Sequence, residues 1–255
     1  MNLFEAFILG ILQGIMEWLP ISSEGQTVLL MLQYLHMSPS DVISYAIFLH
    51  IGTMLAVLVR FRYDFLSMLS RWNSPLSQTV IIASASTAIT AIPLYFFLKT
   101  NFTSGDTATV LIGLLLIGTG LLMKFSNTSG FRNLDQITHS DSIMLGLAQG
   151  FAILPGVSRS GTTIAVLLLR GAEQRTALTL SFLISVPAVL GAVLLDIDSI
   201  AAIPVSNALV MVLTSFVVGY LTIDLLMKFA ARVNFTKFCI YLGVLTLVVG
   251  LLSLL

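Results

Sequence analysis

The chain has 255 residues, of which 57% are hydrophobic and 9% charged, and its mean hydropathy is +1.00. Because soluble domains carry about 25% charged residues, this composition excludes a soluble globular protein and indicates a polytopic membrane protein. Basic and acidic residues balance to a net charge of zero, so nothing favours binding to nucleic acid.

Six apolar stretches are long enough to span a membrane. Each is close to the ~17 to 25 residues that cross ~30 Å of hydrocarbon as a helix. In chain order they are Val42–Val59, Leu76–Leu98, Thr107–Met123, Thr176–Leu195, Ser199–Ile223 and Phe238–Leu255. We therefore predict an all-α polytopic fold in which residues 1–255 form a single integral membrane domain.

Two further segments, Leu3–His36 and Ser142–Arg170, are interrupted by proline and glycine near their middle. In each, a helix of ~15 residues should reach a loop, at Pro20–Gly25 or Pro155–Gly161, and a second short helix should lead back. We predict that both are re-entrant helical hairpins. Non-helical backbone inside a membrane must be buried in protein or line water, so these loops are candidate sites.

Re-entrant hairpins would also segregate the basic residues. Ten of the twelve lysines and arginines then lie on one side, whereas Lys99 lies opposite with the acidic Asp196 and Asp198. The positive-inside rule makes the basic side cytoplasmic, and both termini then face outward. If each hairpin segment crossed the membrane once instead, this segregation would be lost.

An odd number of spans separates the hairpins, so the second should enter from the opposite side to the first. We predict an inverted duplication, with repeat one at 1–130 and repeat two at 131–255, whose hairpin loops meet near the middle of the bilayer. Secondary transporters share this architecture, which leaves a transporter or a lipid-carrier flippase as the alternative to an enzyme.

The two hairpins also resemble each other in sequence. Leu9–Thr27 is LGILQGIMEWLPISSEGQT, and Leu145–Thr163 is LGLAQGFAILPGVSRSGTT. The copies differ where they carry charge, since Glu17 stands opposite Ile153 and Arg159 stands opposite Ser23. Polar residues inside a membrane are costly, so one acidic and one basic copy predict a site built from both halves.

The second hairpin has the composition of a phosphate or diphosphate cradle. Glycines permit a tight loop, hydroxyls surround a helix N-terminus whose amides favour an anion, and a guanidinium matches phosphate oxygens. The residues concerned are Gly156, Ser158, Arg159, Ser160, Gly161, Thr162 and Thr163. A purely structural turn is the alternative.

The first hairpin offers acid–base and nucleophilic groups. Gln13 and Glu17 are four positions apart and share a helical face. Glu17 could form a structural ion pair with Arg159, bind a divalent cation, or act as general acid or base. Ser22 and Ser23 could cap the return helix or attack phosphorus, and we interpret Glu24 as a polar loop residue.

His50 is isolated in the apolar stretch FLHIGTMLAV. We interpret it as a hydrogen-bonded histidine within the helix bundle, with a catalytic role as the alternative.

With these motifs the chain resembles the BacA-type undecaprenyl-diphosphate phosphatases, the bacitracin-resistance membrane phosphatases. The family pattern (E/Q)xxxE appears as QGIME from Gln13, followed by LPISSEG, and PGxSRSxxT appears as PGVSRSGTT from Pro155. Phe48–Phe61 and Ser181–Ala192 resemble the intervening helices, so the similarity covers essentially the whole chain.

The resemblance implies hydrolysis of undecaprenyl diphosphate, or another polyprenyl diphosphate, to the monophosphate and inorganic phosphate. This reaction recycles the lipid carrier for peptidoglycan and other cell-envelope glycans. The resemblance further implies a multi-pass plasma-membrane protein with a site open to the outer face, and a divalent cation, Mg²⁺ or Ca²⁺. Bacitracin would compete by sequestering the substrate, and a homo-oligomer is compatible with the sequence.

Carried over by motif position, Glu17 becomes the acid/base or metal-binding carboxylate, Ser23 a candidate nucleophile, and Arg159 part of the diphosphate cradle. Around these three catalytic candidates, the expected substrate-binding residues are Gln13, Ser22, Gln26, Gly156, Ser158, Ser160, Gly161, Thr162 and Thr163.

One position departs from the family pattern. Many members have SSxGH where this chain has SSEGQ, so Gln26 replaces a histidine that is a proposed catalytic residue. Glutamine cannot transfer protons. Either Glu17 with Ser23 or an activated water suffices, or His50 substitutes from a neighbouring helix, or the activity has become weaker or different, as in a catalytically inactive lipid-binding relative.

Overall fold

The structure is a computed structural model that describes residues 1–126, 130–230 and 232–254. This part of the chain contains no strand, only an isolated bridge between Arg132 and Ala172. Its α-helices, in chain order, are α1 (Leu3–Met16), α2 (Ser23–Gln33), α3 (Pro39–Arg60), α4 (Arg62–Ser70), α5 (Pro75–Asn101), α6 (Gly105–Phe125), α7 (His139–Gly150), α8 (Arg159–Leu169), α9 (Gln174–Leu195), α10 (Ile197–Ala201), α11 (Val205–Ala230) and α12 (Thr236–Ser253).

Within the described residues, six helices are long and apolar enough to cross a membrane, namely α3, α5, α6, α9, α11 and α12. The predicted all-α polytopic membrane fold is therefore confirmed. The predicted span Ser199–Ile223 is wrong in its limits, because Pro204 lacks an N–H donor and separates α10 from α11, which continues to Ala230. The predicted end of the last span, Leu255, lies outside the described residues.

Both predicted hairpins are present as pairs of short helices, α1 with α2 and α7 with α8. The predicted loops are wrong at their ends, since α2 begins at Ser23 and α8 at Arg159. Ser22 and Ser158 cap these helices, each accepting a hydrogen bond from the backbone N–H of the glycine three residues later, at 3.2 and 3.1 Å. The first turns of α2 and α8 therefore belong to the hairpin tips.

The helix packing supports a duplication. Each hairpin begins with a helix that lies along a long helix of the other half, α1 on α11 and α7 on α5. Equivalent helices of the two halves also meet, α3 against α9 and α6 against α12. The inversion of the repeats across the membrane and their boundaries remain predictions.

Helices α6 and α12 approach each other backbone to backbone. A Cβ atom added to Gly113 would lie 2.7 Å from the backbone nitrogen of Leu247, which only glycine avoids. Helix α6 also holds the second hairpin, because Thr119 Oγ1 accepts a hydrogen bond from Ser158 N at 3.2 Å and donates one to Gly156 O at 3.3 Å. The α6–α12 contact thus supports the second tip.

The entrance of the second hairpin is fixed by a buried carboxylate. Asp141 is fully buried and lies 2.6 Å from both the Arg132 and the Arg170 guanidinium. Burial by itself acts to raise the pKa of Asp141, but the hydrogen bonds from Arg132, from the Thr138 backbone and from Arg170 outweigh it, so the pKa lies below its ordinary value.

A second ion pair lies at the other end of α9. Lys99 Nζ is 2.7 Å from Asp196 Oδ1, which also accepts a hydrogen bond from the Tyr95 hydroxyl at 2.8 Å. Since Arg170 precedes α9 and Asp196 follows it, the two charged clusters lie at opposite ends of a spanning helix. This arrangement matches the separation of Lys99 from the other basic residues that the sequence predicts.

Candidate active site

The tips of the two hairpins meet inside the bundle. Glu17 Oε1, at the end of α1, accepts a hydrogen bond in an ion pair with Arg159 Nη2, at the start of α8. Ser22 Oγ accepts a hydrogen bond from Gly156 N at 3.1 Å and so joins the two loops directly. The predicted convergence of a carboxylate and a guanidinium from different hairpins is confirmed.

Glu17 organises the centre of this contact. It is 6% exposed, and its Oε2 accepts hydrogen bonds from Gln13 Nε2 at 2.8 Å and from Ser23 Oγ at 2.7 Å. His50 Nε2 lies 3.3 Å from the same oxygen. With Arg159 on Oε1, four side chains converge on one carboxylate, three of them from the predicted catalytic and binding set.

His50 reaches Glu17 from α3. Its Nδ1 lies 2.7 Å from the carbonyl oxygen of Ala46, which can only accept a hydrogen bond. Since the Glu17 carboxylate is also an acceptor, a ring protonated on both nitrogens satisfies both contacts. The interpretation of His50 as a hydrogen-bonded histidine of the bundle agrees with these contacts, and its partner places it in the candidate site.

Arg159 is held in a fixed orientation. Its Nη1 donates to Ser181 O at 3.2 Å, and its guanidinium carbon lies 5.4 Å from the centre of the Phe182 ring. Trp18 packs edge-on against Phe182 at a centroid distance of 5.5 Å. Hydrogen bonding and cation–π contact therefore fix the orientation of the guanidinium.

Two helix N-termini face a small cavity between the tips. This cavity, ≈ 30 Å³, is lined by residues 22–24 and 158–160, which form the capped N-terminal ends of α2 and α8, together with Glu17 and His50. The first amides of an α-helix have no intrahelical partner and carry the positive end of the helix dipole. Two such ends beside Arg159 form an anion-binding arrangement, which supports the predicted cradle.

Glu24 is more deeply buried than its sequence context predicts. It lies in the first turn of α2 and is only 8% exposed, so its interpretation as a polar loop residue is wrong. Its Oε1 atom has no hydrogen-bond partner in the described part of the chain. A charged residue among small neutral ones in an apolar chain was the signal that could have identified it.

A larger apolar groove of ≈ 380 Å³ adjoins the small cavity. Glu24, His50 and Arg159 line both spaces and form the polar end of the groove. Its walls come from small and aliphatic residues of α5 and α9, including Ala88, Ala91, Ile92, Ala188, Ala192 and Leu195. The site therefore joins a small polar cavity to an apolar groove.

Some predicted substrate-binding residues do not line either space. Gln26 Nε2 donates a hydrogen bond to Ile21 O at 3.5 Å. Thr163 Oγ1 donates a hydrogen bond to Arg159 O at 2.8 Å and shares another with Ser181 Oγ at 2.7 Å. Thr162 Oγ1 is buried without a partner among the described residues. The geometry does not support substrate contact by these three, and their role stays a prediction.

Two glycines and one glutamine shape the site without lining it. Gly156 has φ of +105°, a conformation that favours glycine, and donates its N–H to Ser22. Gly161 donates a backbone hydrogen bond to the Oγ of the capping Ser158, and Gln13 donates a side-chain hydrogen bond to Glu17. Ser158 and Ser160, by contrast, line the small cavity, and their contact with a substrate stays a prediction.

The donor set fits a cation only in part. No group of three or more His, Cys, Asp or Glu side chains forms a metal site within the described residues. Both oxygens of Glu17 already accept hydrogen bonds, whereas Glu24 Oε1 accepts none. Because Mg²⁺ commonly binds one or two carboxylates and completes its shell with water and substrate phosphates, the residues fit a cation shared with a phosphate ligand.

Fold and site together define a polytopic membrane protein in which two helical hairpins form a polar cavity at the end of an apolar groove. Comparison with known proteins identifies the family of the chain. It belongs to the family described as "Bacitracin resistance protein BacA", which matches residues 6–248.

Relatives of similar length carry one name, "Undecaprenyl-diphosphatase". The protein of Methanothrix thermoacetophila is 53% identical over 251 residues, covering 97% of this chain and 96% of its own. That of Methanococcoides burtonii is 42% identical, covering 96% and 97%, and that of Carboxydothermus hydrogenoformans is 35% identical, covering 96% and 95%.

Proposed function

We propose that this protein is a membrane hydrolase that converts undecaprenyl diphosphate, or another polyprenyl diphosphate, to the monophosphate and inorganic phosphate. The observation that carries the proposal is the Glu17–Arg159 pair, set between two helix N-termini at the polar end of an apolar groove. The names of the relatives support the same reaction and do not favour the alternative of a transporter or flippase.

Substrate binding follows from the two connected spaces. The prenyl chain would lie in the groove between α5 and α9 and continue into lipid, which explains why a phosphatase is embedded in a membrane. The diphosphate would reach the small cavity, where Arg159 and the first amides of α2 and α8 bind its oxygens. Ser158 and Ser160 add hydroxyl groups to this cradle.

The contacts of Ser23 suit a nucleophile. Its Oγ donates to Glu17 Oε2, the geometry of a nucleophile and its base. In this route, Ser23 Oγ attacks the terminal phosphorus, its proton passes to Glu17, and the bond from that phosphorus to the bridging oxygen breaks. The prenyl monophosphate leaves, and water then hydrolyses the phosphoserine to release inorganic phosphate.

The second route uses water directly. Water attacks the terminal phosphorus, loses its proton to Glu17, and the same bridging bond breaks, while Ser23 only orients Glu17. In both routes Arg159 neutralises charge on the phosphate oxygens in the transition state. A divalent cation would supply further neutralisation of those oxygens when bound. Rapid quenching with substrate labelled at the terminal phosphorus separates the routes, because only the first labels the protein.

His50 supplies an imidazole group next to Glu17, whereas Gln26, which replaces the family histidine, has none. Of the alternatives that the sequence leaves open, its contact with Glu17 supports substitution from a neighbouring helix. We propose that His50 orients Glu17 within the site.

The decisive test is phosphate release from polyprenyl diphosphate by the purified protein in detergent. The unmodified chain should release phosphate, and Arg159→Ala and Glu17→Ala should not. Arg60 and Asp224 supply matched controls, since they form an exposed ion pair with an N–O distance of 2.8 Å and line neither the small cavity nor the groove. Arg60→Ala and Asp224→Ala should retain activity. Lipid flux in liposomes without phosphate release would instead establish transport.

We further propose that the protein lies in the plasma membrane with both termini and the site on the outer side. Cys239 is the only cysteine, so in a Cys239→Ser background single cysteines can report orientation. A cysteine at Ser199 should react with an impermeant reagent added to intact cells, and one at Ser70 should not. The opposite pattern would reverse the proposed orientation. Bacitracin should slow turnover by sequestering the substrate, and mass measurement in detergent tests a homo-oligomer.

A further inference from the structure

We propose that Glu24 is the protein ligand of a divalent cation that bridges the site to the diphosphate of the substrate. This inference rests on the proposed function and deepens it, because it names the carboxylate through which a metal enters the reaction. It differs from the expectation drawn from the sequence, which gave that role to Glu17.

The contacts of Glu17 leave little room for a metal ion. Its Oε2 accepts hydrogen bonds from Gln13 and Ser23 and lies 3.3 Å from His50, and its Oε1 is paired with Arg159. A cation placed on either oxygen would displace these donors and approach the Arg159 guanidinium. Glu17 therefore serves to position Arg159 and Ser23 and to accept the proton of the attacking group, without binding the metal.

Glu24 has the opposite character. More than nine-tenths of the residue is buried, and its Oε1 has no hydrogen-bond partner in the described part of the chain. The cationic side chains that share its cavities, Arg159 and His50, are directed at Glu17. A buried carboxyl oxygen without a hydrogen-bond donor is costly, so a ligand that supplies positive charge can be bound here.

The location of Glu24 identifies that ligand. It lines the small cavity with Arg159, Ser158 and Ser160, and it also lines the groove. A diphosphate held there would add several negative charges in surroundings of low polarity, while Glu17 and Glu24 already offset the charges of Arg159 and His50. A divalent cation between Glu24 and the phosphate oxygens removes the repulsion, and one carboxylate plus phosphates is a common Mg²⁺ ligand set.

The experiment measures Mn²⁺ binding by electron paramagnetic resonance to the purified full-length protein in detergent. A polyprenyl methylenediphosphonate, which cannot be hydrolysed at the bridge, takes the place of the substrate. The variants are Glu24→Gln, Glu24→Asp and, as a matched control at the start of α9, Glu173→Gln. Size-exclusion chromatography establishes that each variant is folded.

With the analogue present, Glu24→Gln should weaken Mn²⁺ binding by more than about tenfold, whereas Glu173→Gln should not change it. Affinity for the analogue without metal should be unchanged or higher in Glu24→Gln, because a negative charge has been removed. A merely structural role would instead lower it. Glu24→Asp keeps the carboxylate and should retain weaker Mn²⁺ binding, which covers the case in which Glu24→Gln does not fold.

Mn²⁺ affinity that is the same in Glu24→Gln and the unmodified protein, or no Mn²⁺ binding by either, would overturn the inference. Phosphate release by the unmodified protein is scored separately. Release together with unchanged Mn²⁺ binding in Glu24→Gln would leave the proposed function standing without this inference. Binding that depends on Glu24 without any release would leave the inference and overturn the function.

Discussion

Arg159→Ala, Glu17→Gln and the double variant form a cycle that tests whether the two hairpin tips act as one unit. Arg159→Ala removes the ion pair, the hydrogen bond to Ser181 and the contact with Phe182, and should lower kcat/KM by on the order of 10³-fold or more. Glu17→Gln should cost on the order of 10²- to 10³-fold, since it removes the proposed proton acceptor and weakens the alignment of Arg159 and Ser23.

Each loss corresponds to roughly 3 to 4 kcal/mol at about 1.4 kcal/mol per factor of ten. Independent residues would add to about 7 kcal/mol in the double variant. Because the two side chains are in direct contact, we expect a coupling of about 2 to 3 kcal/mol, so the double variant should be roughly 30- to 150-fold more active than the product predicts.

The assay is phosphate release in detergent from a single polyprenyl diphosphate, at substrate concentrations below KM. The Arg60–Asp224 pair supplies the control cycle, because its side chains are 43% and 59% exposed and neither lines a cavity described above. Additive losses from Glu17 and Arg159, or a loss below about tenfold for Arg159→Ala, would refute a shared site.

Three further predictions concern residues around the site. Asp141→Asn should lower the melting temperature of the protein in detergent at pH 7. Because the pKa of Asp141 is lowered in the folded protein, the ionised side chain stabilises the fold at pH values above its ordinary pKa of 3.8, and this stabilisation fades as the pH falls further. The difference in melting temperature between the variant and the unmodified protein should therefore shrink in acid. Gln26→His should change kcat/KM by less than about threefold, since that side chain hydrogen-bonds to Ile21 outside the cavity, and a large gain would show that the tip rearranges during turnover. Ala188→Trp should fill the groove and raise KM for a long-chain substrate. Leu190→Trp, on the exposed side of the same helix, should leave KM unchanged. Equal effects of the two variants on KM would argue against the groove as the prenyl site.

The fold could be predicted because the lengths of the uninterrupted apolar stretches can be counted in the sequence. Lipid requires every spanning segment to be helical, so uninterrupted hydrophobic stretches identify the spans with few alternatives. The limits of Ser199–Ile223 were wrong because hydropathy does not register Pro204, whose effect is on backbone hydrogen bonding. The hairpins were found because proline and glycine interrupt otherwise apolar segments.

The centre of the site was predictable from the contrast between the two copies, which singled out Glu17 and Arg159. The position of Glu24 was not. Whether a residue after a proline faces solvent, lipid or a cavity depends on where the helix begins, and α2 begins at Ser23, after a Ser22 with φ of 60°. That left-handed turn is stabilised by hydrogen bonds from Gly25 and from Gly156 of the other hairpin, a tertiary contact that local sequence does not reveal.

The glycine contact between α6 and α12 connects the packing of these two helices to the geometry of the candidate site. Because Gly113 allows the two backbones to touch, a methyl group there would push α6 outward, and Thr119 on the same helix carries the backbone of Ser158 and Gly156. Natural variation at such a remote position would then disturb headgroup geometry while leaving every polar group of the site unaltered. A homologue whose motifs are intact can therefore lose activity through a substitution at the α6–α12 contact.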